Sequence, residues 1–404
     1  MAFFLSYFYQ ATLDFKLYFH RGVFMFRKKA FILVLNIVVL VWASLAQAYV
    51  GLCCAHCGGN MPLNLTGGGI PEPHEFRFKV SEMIMKMGPL RDGTDDILST
   101  DLVGPNSTAD KFPAVPRSMT QYMTMFGGAY SFSDNFAVMA MTNVTVNEMP
   151  MEILPAQGTN FAMTSAGLGD ITILGKSRVY SNDNLAPTKQ VSLLYGLSFP
   201  TGAIDKQFTN STPNGVNGTL LPFKMQLGSG TFDPIIGMTY QASRDPFWWG
   251  FNTQLEAHVY DNDQGYHRGQ EFRYDFYAMK QVHDKWVIQA QLNGWLEGKF
   301  SDEPDNGKSL GHGHAGINPA NTFLSPLFDP DNQGGHKVAL ALGFQYQHIP
   351  LHIMELTATL PIYQNLNGPQ LRDNWMLQFS YYMEVPTKKS RRYKGFSAPK
   401  ELGF

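Results

Sequence analysis

Charge is scarce in this sequence. Only 16% of its 404 residues are Asp, Glu, Lys or Arg, and 31 basic residues stand against 33 acidic ones. That near-balance gives no electrostatic footprint for a nucleic acid. Cysteine is scarcer still. The three cysteines all fall within Cys53–Cys57, which excludes a disulfide framework spread through a fold. Beyond residue 46 no apolar run approaches the length of a membrane-crossing helix, and the mean hydropathy of −0.17 is too low for a helical membrane protein. G-x-S-x-G, H-E-x-x-H and Walker motifs are missing, and nothing in the spacing of Ser, His and Asp pairs them for catalysis. The sequence therefore predicts a protein that is not an enzyme. The single GLGD at 167–170 is no dinucleotide fingerprint, and glycine there fits a bend or bulge in a strand.

The first residues carry an export pattern. Arg27, Lys28 and Lys29 precede an apolar stretch from Ala30 to Leu45, and Ala46-Gln47-Ala48 offers a small-x-small cleavage site. This predicts an upstream extension and signal peptide over 1–48, with the natural start at Met25 and a mature chain from Tyr49. An uncleaved anchor helix over 30–46 is the alternative. Residues 49–73 show no strand pattern and are expected to form an N-terminal periplasmic arm or plug. Within them Cys53, Cys54, His56 and Cys57 could form a disulfide with one thiol left over, or hold Cu(I) or Zn(II). No other cofactor is expected.

What is plentiful is period-two alternation. In Lys285–Gly298 the residues Trp286, Ile288, Ala290, Leu292 and Leu296 form one face, and Val287, Gln289, Gln291 and Asn293 form the other. Similar stretches cover about 74–87, 118–132, 135–148, 167–180, 189–200, 231–242, 247–260, 271–282, 336–348, 352–363 and 374–385. The connections between them alternate long and short along the whole chain. Short turns lie at 132–135, 181–188, 242–246, 283–284 and 350–351, while 88–117, 149–166, 201–230, 261–270, 299–335 and 364–373 are mostly long. A soluble sandwich has no reason for this alternation, whereas an outer-membrane barrel does. The reading is an all-β fold, a transmembrane antiparallel β-barrel of about 12 strands of the outer-membrane type. The barrel covers 74–385 and is followed by a basic tail over 386–404.

The inward faces supply the candidate site. Met83, Met85 and Met87, then Met123, Met125, Met139 and Met141, form a methionine ladder. Lys176, Arg178, Gln254, Glu256, Gln289, Gln291 and Asn293 add polar groups for contact with a permeant. Thioethers can simply fill space, touch an apolar permeant or ligate a soft metal. On the opposite face Glu82 and Lys86 point outward, which a bulge or a position near the rim would relieve. His267, His312, His314 and His336 could gather a metal at the outer mouth or merely be solvated, and so could the loop aspartates 92, 95, 96, 261 and 263.

Several ordered segments resemble a known family. These are Arg91–Thr94 after the methionine-studded first strand, AGLGDITILGKSRVY at 166–180 and LSFPTGAI at 197–204. LPFKMQLGSGTFDPIIGMTY at 221–240, DNDQGYHRGQ at 261–270 and LPIYQNLNGPQLRDNW at 360–375 follow in the family's order. Together they resemble a proteobacterial outer-membrane β-barrel family named for the meta-pathway of phenol degradation. Its members are described as transporters and are distantly similar to long-chain fatty acid porins. The resemblance implies residence in the bacterial outer membrane after export, with membrane lipid and a small-molecule permeant as partners. The expected function is passive passage of small molecules, apolar or aromatic ones among them. Two alternatives are a copper-handling barrel that uses the lumenal methionines and the Cys/His arm, and a structural or adhesive barrel with partner-binding loops.

Overall fold

The computed structural model describes residues 61–66, 73–105, 107–108, 110–155, 159–183, 187–209, 217–302 and 323–390, apart from the side chain of His348. The predicted signal peptide, the Cys/His cluster, His312, His314 and most of the basic tail lie outside the described residues. Among these residues, no helix is long and apolar enough to cross a membrane, a statement that leaves strands untouched.

The strands run in order: β1 (Glu75–Gly93), β2 (Asp95–Ile97), β3 (Ala114–Pro116), β4 (Met119–Ser133), β5 (Phe136–Ile153), β6 (Phe161–Leu168) and β7 (Ile171–Ser181). They continue with β8 (Lys189–Phe199), β9 (Asp233–Arg244), β10 (Phe247–Glu256), β11 (Glu271–His283), β12 (Trp286–Glu297), β13 (Gly335–Ile349) and β14 (His352–Pro386). The sheet runs β1-β4-β5-β7-β8-β9-β10-β11-β12-β13-β14 with antiparallel neighbours, and β14 returns to pair with β1, so it closes into a barrel. Closure joins the first and last strands of the barrel, so neither is left as an open edge in lipid.

The burial pattern is inside-out for a water-soluble protein. Gln190, Gln241, Asn252, Gln289, Gln345, Thr357 and Gln378 are buried, while Phe78, Leu197, Ile288, Leu342, Ile362 and Leu377 are exposed. Each strand alternates these two classes because side chains at i and i+2 share a face. Aromatic rings gather at the ends of the outer face. At the short-turn end Phe76 meets Tyr130 at 4.6 Å between ring centroids, Tyr130 meets Phe132 at 4.8 Å, and Trp286 meets Tyr346 at 4.6 Å. At the long-loop end Phe199 packs on Phe232, and His336 on Tyr363.

Three features depart from the sequence expectation. Residues 364–373, expected as a connection, are strand, since β14 runs from His352 to Pro386. The strand expected at 167–180 is β7, which pairs the inner half of β5, while the outer half of β5 pairs with β6, a strand lying at the end of the connection expected at 149–166. The break falls at Gly167–Asp170, where Gly167 has φ +152° and a Cβ on Gly169 would meet Asn143 at 2.5 Å. Alternation had also left Glu82 and Lys86 stranded on the outer face. Both are taken up by threonines of β4, with Thr124 donating to Glu82 at 2.9 Å and Lys86 donating to Thr120. The β1–β4 register runs through both positions without a shift, while the β1–β14 register shifts between Lys86 and Met87, a bulge beside Lys86.

Candidate functional site

Inside the barrel is a cavity of about 530 Å³, within the range of small-molecule sites (~300–1,000 Å³). Its wall is methionine-rich. Met83 of β1 and Met123 of β4 are register partners, and Met125, Met139, Met141 and Met376 complete the apolar side. Lys176, Gln254 and Glu256 are also in the wall, so eight of the residues singled out from sequence meet here.

The remaining six take other positions. Met85 stands opposite Gln121 and Met376 but is not in the wall. Met87 packs against the apolar cluster under the long loops. Arg178 sits at the short-turn rim, where its Nε donates to Asn135 Oδ1 at 3.0 Å. Gln289 donates to Thr357 at 3.0 Å, Gln291 exchanges hydrogen bonds with Asn64, and Asn293 donates to Asp275 at 2.8 Å. Those three amides face the barrel interior, but their hydrogen bonds go to other protein groups.

Asn64 belongs to a segment that sequence reasoning placed only loosely. Met61–Thr66 crosses the interior near the short-turn end. Glu355 accepts from the Leu63 N–H at 2.7 Å and the Asn64 N–H at 3.2 Å, and Lys79 donates to the Leu63 carbonyl at 2.8 Å. Met61 and Leu65 bury themselves against Trp248, Tyr277, Met279 and Val287. One side of the segment thus satisfies its backbone, and the other side packs. Segment residues 61–66 also form part of the cavity wall.

At the opposite end the long loops fold inward over an apolar cluster that includes Leu90, Phe112, Met119, Met149, Met163, Met225 and Phe328. Asp170 ties one of these loops down. Its Oδ1 accepts from the Gly202 N–H at 2.8 Å and its Oδ2 from the Ser229 N–H at 2.7 Å. The same loop doubles back so closely that a Cβ on Gly202 would lie 2.7 Å from the Gly228 Cα. Three of the recognised segments, GLGD, FPTG and LGSG, therefore meet at one anchor.

The histidines considered for the outer mouth do not converge among the described residues. His267 pairs with Asp261 at 2.7 Å, and His336 meets the Tyr274 hydroxyl at 2.9 Å. Of the loop aspartates, Asp96 is held by Arg91 at 2.6 Å and Arg372 at 3.3 Å. Arg273, unflagged in the sequence, stands in the cavity wall and bonds Glu271.

No curated protein matches the chain by sequence. Among solved structures it is similar to an outer-membrane channel from Pseudomonas putida F1, at 9% identity over 78% of this chain and 97% of that one, with a TM-score of 0.49. It is also similar to the P. putida toluene transporter TodX, at 9% identity over 78% and 91% of the two chains, with a TM-score of 0.38. The profile of the family described as "Putative MetA-pathway of phenol degradation" matches residues 118–348, more than half of the chain. The chain belongs to that family.

Proposed function

We propose that the protein is an outer-membrane channel for the passive passage of small apolar or aromatic molecules, and that it performs no covalent chemistry. The observation that carries this reading is the methionine-walled cavity inside a barrel whose outer face is apolar. An apolar band between two aromatic girdles fits a bilayer, since lipid takes up the surface that water would penalise. Thioether side chains adapt to irregular apolar shapes and make favourable contacts with aromatic rings. Lys176, in the same wall, would favour a ring that carries a carboxylate or phenolate. The family's description supports an aromatic permeant. Passage of this kind asks for weak contacts along the route, with the wall excluding the wrong solutes.

We infer twelve membrane passes. β14 has 35 residues, and its first part pairs with β13 while its last part pairs with β1. At ~3.3 Å per residue a single strand of that length would be several times longer than a ~30 Å hydrocarbon core. A hairpin turning near Gly368, where φ is +68°, accounts for both pairings. β6 and β7 then share one pass, and β2 and β3 belong to the loops. Under this count both ends of the barrel sequence lie at the short-turn, periplasmic side, where Met61–Thr66 enters as a plug.

Liposome swelling tests the function. Benzoate- and phenol-sized solutes should enter vesicles containing the purified protein faster than they enter protein-free vesicles, and faster than sugars of similar mass. Equal rates with and without the protein would overturn the proposal.

A further inference from the structure

Three side chains near the long-loop end of β9 and β10 form a group that the passage of a solute does not require. Asp233 opens β9, Glu256 closes β10, and His258 lies two residues farther along the same inward face. Ile235 is the register partner of Glu256, and the Ala257 N–H continues the ladder by donating to the Pro234 carbonyl at 3.0 Å. Asp233 therefore stands beside His258. One donor atom from each of the three lies within 4.8 Å of the other two.

Asp233 is wholly buried, and His258 is 95% buried. Asp233 Oδ1 accepts from the Thr231 hydroxyl at 2.5 Å and lies 2.9 Å from His258 Nδ1. Its Oδ2 is buried with no hydrogen-bond partner, and the approach of His258 Nδ1 to the carboxylate is not aligned as a hydrogen bond. An orphaned carboxylate oxygen in such a place costs free energy unless something else neutralises it. Acidic groups outnumber basic ones around it. Glu271 is the register partner of Glu256, and Arg273 bonds Glu271. Three carboxylates, those of Asp233, Glu256 and Glu271, thus gather around one guanidinium and one imidazole.

We propose that Asp233, Glu256 and His258 bind a divalent cation of the zinc class. Two carboxylate oxygens and one imidazole nitrogen are a donor set that zinc accepts, with water completing a tetrahedron. At metal–ligand distances of ~2.0–2.2 Å the donors would sit roughly 3.3 Å apart, so the widest separation closes by at most roughly 1.5 Å on binding. The backbone at the site is already fixed. Gln270 accepts from the His258 N–H at 3.2 Å and donates back to the His258 carbonyl. Glu256 also lines the central cavity, which gives the ion a way in. A bound cation would cross-brace the ends of β9 and β10 where the long loops leave the barrel. This inference stands whether or not the barrel passes solutes.

The test uses the full chain in detergent, stripped with a chelator and then titrated with Zn²⁺ alone. Because Cys53, Cys54 and Cys57 could also take zinc, the titration is run in a background carrying Cys53→Ser, Cys54→Ser and Cys57→Ser. One zinc per chain and a zinc-dependent rise in melting temperature are expected. Asp233→Asn and His258→Gln should each weaken binding at least ~10-fold, since even an outer-shell partner is worth that much. His267→Ala, which alters an exposed His–Asp pair, should leave binding unchanged. Heat-modifiable gel mobility checks that each variant is folded, and Glu256→Gln, which keeps the buried Asp–His pair, serves if the others do not fold. No stoichiometric zinc uptake by the Cys-free protein, or equal affinity in the ligand variants, would overturn the proposal and leave the trio an ion pair only.

Discussion

Glu355, on the strand that follows the last short turn, holds Leu63 by its backbone: the Leu63 N–H meets Oε2 at 2.7 Å. The contact spans most of the chain and joins the Met61–Thr66 segment to the wall. Glu355→Ala leaves the Leu63 and Asn64 N–H groups and the Gln345 amide without their acceptor. Unmade hydrogen bonds of this kind cost ~1–3 kcal/mol, enough to raise the undocked fraction on the order of tenfold. Faster protease cleavage around 61–66 and faster vesicle swelling should result. Unchanged cleavage would mean that the segment is held chiefly by Met61 and Leu65.

The methionine wall makes a steric prediction. Met125→Trp adds a rigid ring to a cavity of about 530 Å³ and should slow the swelling produced by aromatic solutes while leaving the barrel folded. Met85→Trp, at an inward position outside that wall, should slow it less. Equal effects from the two would argue against this cavity as the route.

On the outer face Tyr274 lies over Gly294, its register partner, and reaches His336 one strand farther on. A Cβ on Gly294 would fall 2.0 Å from the tyrosine ring. Gly294→Leu must displace that ring, at a cost of ~1–3 kcal/mol. Tyr274→Phe loses only the hydroxyl contact, ~1 kcal/mol. Urea midpoints of the folded barrel in detergent should rank the two in that order.

Lys224 gives a pH dependence at the loop end. It lies in the 201–230 loop, donating to Gln370 Oε1 at 2.7 Å. Burial, with the nearby Lys337 charge, lowers its pKa from 10.5 to about 8. Between those two values the unfolded chain binds more protons than the folded one, so this group makes stability rise with pH across that window. The stability of the native protein minus that of Lys224→Met should increase from about pH 8 to 10.5. A flat difference would show that Lys224 titrates normally.

Much of the architecture was legible because alternation and turn chemistry are local properties. β12 was expected at 285–298 and spans Trp286–Glu297; β13 was expected at 336–348 and spans Gly335–Ile349. Where one residue must serve two neighbours, the local rule failed. Gly167 and Gly169 look like interruptions within a strand, yet they turn Asp170 toward a loop about thirty residues away. The methionine ladder was readable as an inward face, but which of its members would meet in one cavity was not, because that depends on strand stagger and on what fills the ends. The Asp233–Glu256–His258 group was hidden for a similar reason: 233 and 258 become neighbours only through the β9–β10 register.

The sequence by itself determined most of the barrel strands, their two faces, the alternation of short and long connections, and the family. Each follows from period two, from glycine- and proline-rich connections, or from ordered local motifs. Only the tertiary structure decided that β14 closes on β1, that Met61–Thr66 docks on Glu355 and Lys79, and that Gln289, Gln291 and Asn293 bond protein groups. A strand's pattern specifies which side chains point inward. What they meet there depends on the opposite wall and on the segments that fold between.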